Sequence, residues 1–161
     1  MDKGFTLVEV FISVAILSII FAGSYAVLLT GRNTWFVGLD MLELHSQLRL
    51  GSSYIIREFR EATSFSVTPV DADDDILVFT TPNESSISYY RDINDLNNDG
   101  LTNQIIREYP IGTRRVVANN ISSLHFSSSE ELLQVSITAA KTSRGRILQL
   151  SLAEKVRGRN E

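Results

Sequence analysis

Residues 5–29 read FTLVEVFISVAILSIIFAGSYAVLL, 25 positions that hold a single charge, Glu9. As a helix this run spans about 37 Å at about 1.5 Å per residue, enough to cross the roughly 30 Å hydrocarbon core of a bilayer. The four residues ahead of it, Met1-Asp2-Lys3-Gly4, are too few for the basic region of a secretory signal. Small residues near its end, Ala22-Gly23-Ser24, keep ordinary signal cleavage open as the alternative. Two features weigh against that alternative. A lone carboxylate costs about 2.5–3.5 kcal/mol at the bilayer centre and less near the interface, so Glu9 is a poor component of a disposable apolar stretch. The helical pattern also continues past Leu29.

After a short polar break, Thr30-Gly31-Arg32-Asn33, apolar or small residues recur at Val37, Met41, Leu44, Leu48, Gly51, Ile55 and Phe59, while Asp40, Glu43, Arg49, Arg57 and Arg60 fall elsewhere. Three- and four-residue spacing of this kind gives a helix one apolar stripe. No proline occurs before Pro69, so nothing forces a break, and one helix is expected from about Phe5 to Ala62, with Gly23, Gly31, Gly38 and Gly51 as places to bend. Beyond Thr63 the pattern becomes strand-like: Phe65–Thr68, Ile76–Thr80, Ser86–Tyr90, Gln104–Tyr109, Arg115–Ala118, Ile121–Ser127, Leu132–Ala139 and Arg146–Leu152, several alternating apolar with polar residues. Short connections favour antiparallel pairing, and a sheet with one apolar face needs a cover. The expected fold is α+β: a long N-terminal helix, half transmembrane and half amphipathic, packed on a small antiparallel sheet domain. The expected divisions are 1–4 leader, 5–29 membrane segment, 30–62 amphipathic helix and 63–161 sheet domain.

Composition narrows the function. The chain has 161 residues, a formal net charge of −4 and no cysteine. Disulfides, thiolate metal sites and a cysteine nucleophile are excluded, and charge balance implies no nucleic-acid partner. No phosphate loop, nucleophile elbow or zinc motif occurs, and His45 and His125 have no metal or triad spacing around them, so an enzyme is not expected.

The residues Gly4-Phe5-Thr6-Leu7-Val8-Glu9-Val10 resemble the prepilin signature of type IV pilins and the pseudopilins of type II secretion: a short charged leader, a cleavage glycine, a phenylalanine, a glutamate four residues later and a long apolar run. Over Ala118–Phe126 and the ending Arg157-Gly158-Arg159-Asn160, the chain resembles minor pilins and the J-type minor pseudopilin. The resemblance implies cleavage between Gly4 and Phe5 by a prepilin peptidase, N-methylation of Phe5, and assembly through Phe5 and Glu9 with other pilin or pseudopilin subunits on an inner-membrane platform. It implies a single-pass precursor in the bacterial inner membrane, with the globular domain in the periplasm or outside the cell. Lys3 agrees, since it holds the N-terminus inside. The membrane segment lacks the helix-bending proline of major pilins and the chain lacks their paired cysteines, which favours a minor subunit. The expected function is a minor pilin or minor pseudopilin that primes, caps or joins the filament; the alternative is a filament-tip adhesin or DNA-binding minor pilin, which exposed aromatics or arginines would favour.

One segment stands apart. Asp95, Asn97, Asp99 and Asn103 occupy positions 1, 3, 5 and 9 of an EF-hand-type loop, with Gly100 at 6 and the Leu101 carbonyl at 7. Calcium is the candidate cofactor. Ile106 stands at position 12, where a bidentate carboxylate is usual, and Asp92 or Glu108 would have to substitute. The plain alternative is an Asx-rich turn. The acidic run Asp71, Asp73, Asp74 and Asp75 reads as a solvated loop, and Lys155, Arg157 and Arg159 as a solvated basic tail.

Overall fold

The computed structural model describes residues 6–83, 86–129 and 132–158. The chain divides into two compact units, Met1–Leu39 and Asp40–Glu161. A single helix, α1 (Leu7–Phe59), contributes to both, and eight strands follow it: β1 (Ser64–Pro69), β2 (Asp75–Thr80), β3 (Ile87–Asp92), β4 (Gln104–Glu108), β5 (Arg114–Ala118), β6 (Ile121–Ser129), β7 (Leu132–Ser143) and β8 (Arg146–Arg157). The expected α+β class, long helix and antiparallel pairing are all present.

In the first unit the described part of the helix exposes every side chain except the half-buried Val37, and its most apolar 18-residue window has mean hydropathy 2.3 with nothing buried. The polar residues in this apolar stretch are answered locally. Ser13, Ser18, Thr30 and Thr34 each donate a hydroxyl to the carbonyl four residues earlier, at 2.7, 2.8, 3.0 and 3.1 Å. Such back-bonding satisfies the hydroxyl within the helix and adds no demand on an apolar solvent.

The second unit is built around the C-terminal part of α1. Leu44, Leu48, Gly51, Ile55 and Phe59 are buried, five of the seven residues of the expected stripe. The expected single sheet is resolved into two: a five-stranded meander in the order β1-β2-β3-β4-β5 and a three-stranded meander β6-β7-β8. Alternation along each strand sends one side chain in two toward the core. Leu77 and Phe79 of β2, and Leu133, Val135, Ile137 and Ala139 of β7, are buried in this way. Gly51 explains how the helix meets both sheets. A Cβ there would sit 2.9 Å from Ile105 Cδ1, 3.4 Å from the Ala118 Cβ and 3.6 Å from Ile137 Cδ1. Its role is close packing, and α1 runs through it without a break. Phe59 closes the far end of the core, with its ring edge-on to Phe65 and Phe79 at 5.0 and 5.7 Å between centroids.

The acidic run is not simply solvated. The Asp73 carbonyl accepts from the Leu124 amide at 3.0 Å, Asp74 pairs with Arg91, and the buried Asp75 carboxylate accepts from the Phe126 amide at 2.8 Å and contacts His125 Nδ1 at 3.3 Å. These residues join the two sheets, a task that a carboxylate next to free strand-edge amides performs well. The basic tail differs too: Lys155 and Arg157 lie in β8, paired with Gln134 and Leu132, and Arg159 lies outside the described residues. The β7–β8 hairpin is longer than its hydrophobic pattern indicated. It turns on Arg144 and Gly145 at φ 49° and 77°, the backbone of a two-residue primed turn. Lys141 and Ser143 extend the pairing because they reach α1: Lys141 Nζ lies 2.9 Å from Asp40 and 2.6 Å from Glu43, and Ser143 donates to Asp40.

Candidate functional site

Two regions hold the residues singled out by the sequence. The first is the start of α1. Gly4 and Phe5 lie outside the described residues. Thr6 stands immediately before the helix, and its hydroxyl accepts from the Glu9 amide at 3.3 Å. Glu9 Oε2 in turn accepts from the Thr6 amide and the Thr6 hydroxyl, both at 2.9 Å. This is a capping box, in which the two residues satisfy backbone donors that a helix start leaves orphaned. The Thr-x-x-Glu pattern is readable in the sequence, where Glu9 otherwise stands out as a charge in the apolar run and as the assembly residue that the resemblance implies. Here it holds the first turn, at the positive end of the helix dipole, where a carboxylate is favoured.

Beyond the cap, one face after another is apolar and exposed: Leu7, Phe11, Ile19 and Val27 stand at 68–74% exposure. A surface of that extent is not stable against water and requires lipid or other apolar helices around it. Residues 1–25 match the protein family described as the prokaryotic N-terminal methylation motif. That match supports a type IV pilin-like protein. No curated protein and no solved structure matches it significantly. The methylation motif together with the apolar helix supports membrane anchoring by this segment, and the motif implies processing by prepilin peptidase and assembly with other pilin subunits.

The second region is the loop between β3 and β4. Asp95 accepts from the Asp99 and Gly100 amides at 3.2 and 2.8 Å. Asp99 accepts from the Leu101 amide at 2.9 Å, from Asn97 Nδ2 at 2.8 Å and from Asn119 Nδ2 at 3.2 Å. The Leu101 amide, foremost among these donors, holds the Asp99 carboxyl below its usual range. Asn98, Gly100 and Asn103 take the left-handed backbone, which asparagine and glycine adopt most cheaply. The loop closes on a residue the sequence reading overlooked. Gln104 is fully buried; its Nε2 donates to Asn97 Oδ1 at 2.9 Å and to the Leu101 carbonyl at 3.0 Å, and its Oε1 accepts from the Leu96 amide at 2.9 Å.

Of the five expected calcium ligands, Asp95, Asn97, Asp99 and the Leu101 carbonyl are linked by the hydrogen bonds above, while Asn103 Oδ1 accepts from Arg91 at 3.0 Å. Both candidates for the twelfth ligand already accept hydrogen bonds. Glu108 accepts from Gly112 and Tyr90 at the far end of β4, and Asp92 is engaged by Asn94 at 2.7 Å. Among the described residues no three His, Asp or Glu side chains converge as a metal-binding group. A separate cluster bears on the alternative of direct ligand binding: the Tyr54 ring lies between the exposed Arg57 and Arg115, at 4.9 and 5.7 Å.

Proposed function

We propose that this chain is a minor pilin or minor pseudopilin, a structural subunit that primes, caps or joins a type IV pilus-like or type II secretion filament. One observation supports the reading above all: the methylation motif opens a helix whose side chains are exposed and apolar from Leu7 to Leu29, a surface suited first to a bilayer and then to a bundle of like helices. Residues 1–4 are the leader and are removed by cleavage between Gly4 and Phe5 on the cytoplasmic face. Phe5 is then N-methylated. Residues 5–29 are the membrane and assembly segment, 30–62 the amphipathic continuation, and 63–161 the sheet domain, which lies outside the cytoplasm. In the filament Glu9 pairs with the Phe5 amine of a neighbouring subunit, which offsets the cost of burying each charge.

The work is mechanical rather than catalytic, and the missing proline and cysteines favour a minor role. The test is location. Epitope-tagged chain in its native cell is expected in the sheared filament fraction, or in the secretion pseudopilus when that filament is overproduced, at a small fraction of the major subunit. Recovery only in the membrane fraction of filament-producing cells would contradict the proposal.

A further inference from the structure

The two sheets have four outer strands, and three of them are blunted. β1 has six residues and ends on Pro69. β5 has five, opens on Arg114-Arg115 and pairs with β4 through a register shift. β6 carries another shift, and its Leu124 and Phe126 amides are taken by the Asp73 carbonyl and the Asp75 carboxylate. Short, charged, bulged or covered edges are the means by which sheets avoid further pairing. β8 lacks these devices over most of its length. It is a 12-residue strand paired with β7 without a register shift, and residues 147–153 include no charge, proline or glycine. Among the described residues no strand pairs with its outer side.

The free backbone groups can be named. The Ala140 amide donates on the β6 side, to the Asn120 carbonyl at 2.9 Å, so its neighbours Ala139 and Lys141 turn theirs toward β8, where they pair with Leu150 and Leu148. The alternate residues Ile147, Gln149, Ser151 and Ala153 therefore point their amides and carbonyls outward. The side chains of Leu148, Leu150 and Leu152 pack on the core, and Glu154 accepts from Ser52 of α1 at 2.8 Å. Beside Glu154 a groove of about 590 Å³ is lined by Leu42, His45, Arg49 and Leu50 of α1, with Leu42 and Leu50 67% and 42% exposed.

We infer that β8 is completed by an extended strand from a neighbouring subunit, with uncharged residues opposite residues 147–153 and acidic residues at its ends. A row of outward amides and carbonyls at ladder spacing is matched by another strand, whose backbone supplies affinity and whose alternate side chains supply specificity. On the α1 side those side chains extend the face of Leu148, Leu150 and Leu152 over the groove, where Leu42 and Leu50 receive apolar groups. The acidic ends follow from charge complementarity. Arg146 stands at one end of the uncharged stretch, Lys155 near the other and Arg49 in the groove, while Glu154 is held by Ser52. The choice of partner rests on the filament role proposed above, since a minor subunit has other subunits, not copies of itself, as neighbours.

Photo-crosslinking in the native cell tests it, with a benzophenone amino acid in place of the exposed Gln149. In sheared filaments the chain is expected to form one main adduct, mapped by mass spectrometry to an extended segment of another filament subunit flanked by acidic residues. Ser151→Pro removes one outward amide and leaves the ladder with β7 intact. Ile147→Lys places a blocking charge at an edge position that is 75% exposed. Each is expected to lower the adduct per molecule of chain by about tenfold, the equivalent of about 1.4 kcal/mol. Near-ultraviolet circular dichroism reports whether each variant folds, and the exposed Ile147 position keeps the test decisive if the proline variant does not. No adduct from chain recovered in filaments would overturn the inference. So would an adduct only to a second copy, or an undiminished adduct in every variant that folds. Absence of the chain from the filament fraction would instead remove the filament role itself, and with it the partner named here.

Discussion

Replacing Phe59 with alanine is expected to destabilise the unit formed by residues 40–161 by about 3–5 kcal/mol, the usual cost of removing a phenylalanine from a core that cannot collapse around the cavity. Phe59 is fully buried and stands where α1 ends, edge-on to Phe65 and Phe79, with Phe79 stacked in turn on Tyr89 at 6.0 Å. Its loss removes apolar burial and two aromatic contacts, each worth about 0.5–1.5 kcal/mol beyond the area they cover. Against a typical domain stability of about 5–15 kcal/mol, the variant would lie near its unfolding threshold. Urea unfolding of the detergent-solubilised chain, followed by near-ultraviolet circular dichroism of its tyrosines, measures the change. Phe59→Leu keeps most of the volume and is expected to cost far less. An alanine variant within about 1 kcal/mol of the wild type would show that the helix is not anchored at this end, since core truncations are costly only where packing is close.

Glu9 carries the second large effect, and the capping box changes how it is tested. Alanine at this position removes both the charge and the acceptor that satisfies the Thr6 amide, and the loss of such a cap costs about 1 kcal/mol by itself. Glutamine retains the cap, because a capping box accepts either residue, and removes only the charge. Glu9→Gln is therefore expected to be processed, inserted and folded like the wild type, while its recovery in sheared filaments falls by about a hundredfold, the equivalent of about 3 kcal/mol for leaving the Phe5 ammonium buried without its partner. Glu9→Ala is expected to fall at least as far. Wild-type recovery of both variants would mean that Glu9 serves the helix start and nothing more.

How much of this was legible in the sequence depended on how far apart the deciding residues lie. The helix was legible from Leu7 to Phe59 because both its parts announce themselves locally, one by continuous hydrophobicity and the other by a stripe at helical spacing. All eight strands could be found from alternation and turn residues. Their division into two sheets could not, because it depends on contacts between remote positions, such as Asp73 with Leu124 and Asp75 with Phe126. The ends of β7 and β8 were missed for the same reason: Lys141 and Ser143 look like loop residues until Asp40 and Glu43 of α1 are seen opposite them. In the β3–β4 loop, spacing picked out Asp95, Asn97, Asp99, Leu101 and Asn103 as an Asx-rich turn, but it had no means of showing that Asn103 accepts from Arg91 on β3 or that Asn119, 20 residues beyond Asp99 along the chain, donates to Asp99. The capping box is different. Its pattern was local and readable, and it was passed over because the charge of Glu9 pointed to the membrane instead.

The central claim, that the first residues form a working prepilin signal on a pilin-like subunit, is tested most directly by the mass of the mature N-terminus. Intact-mass analysis with N-terminal sequencing of chain isolated from the membrane of its native cell is expected to show loss of Met1 to Gly4 and a single added methyl group on Phe5. A mature N-terminus within Ala22 to Ser24, the product of ordinary signal cleavage, would remove the anchor and contradict the account.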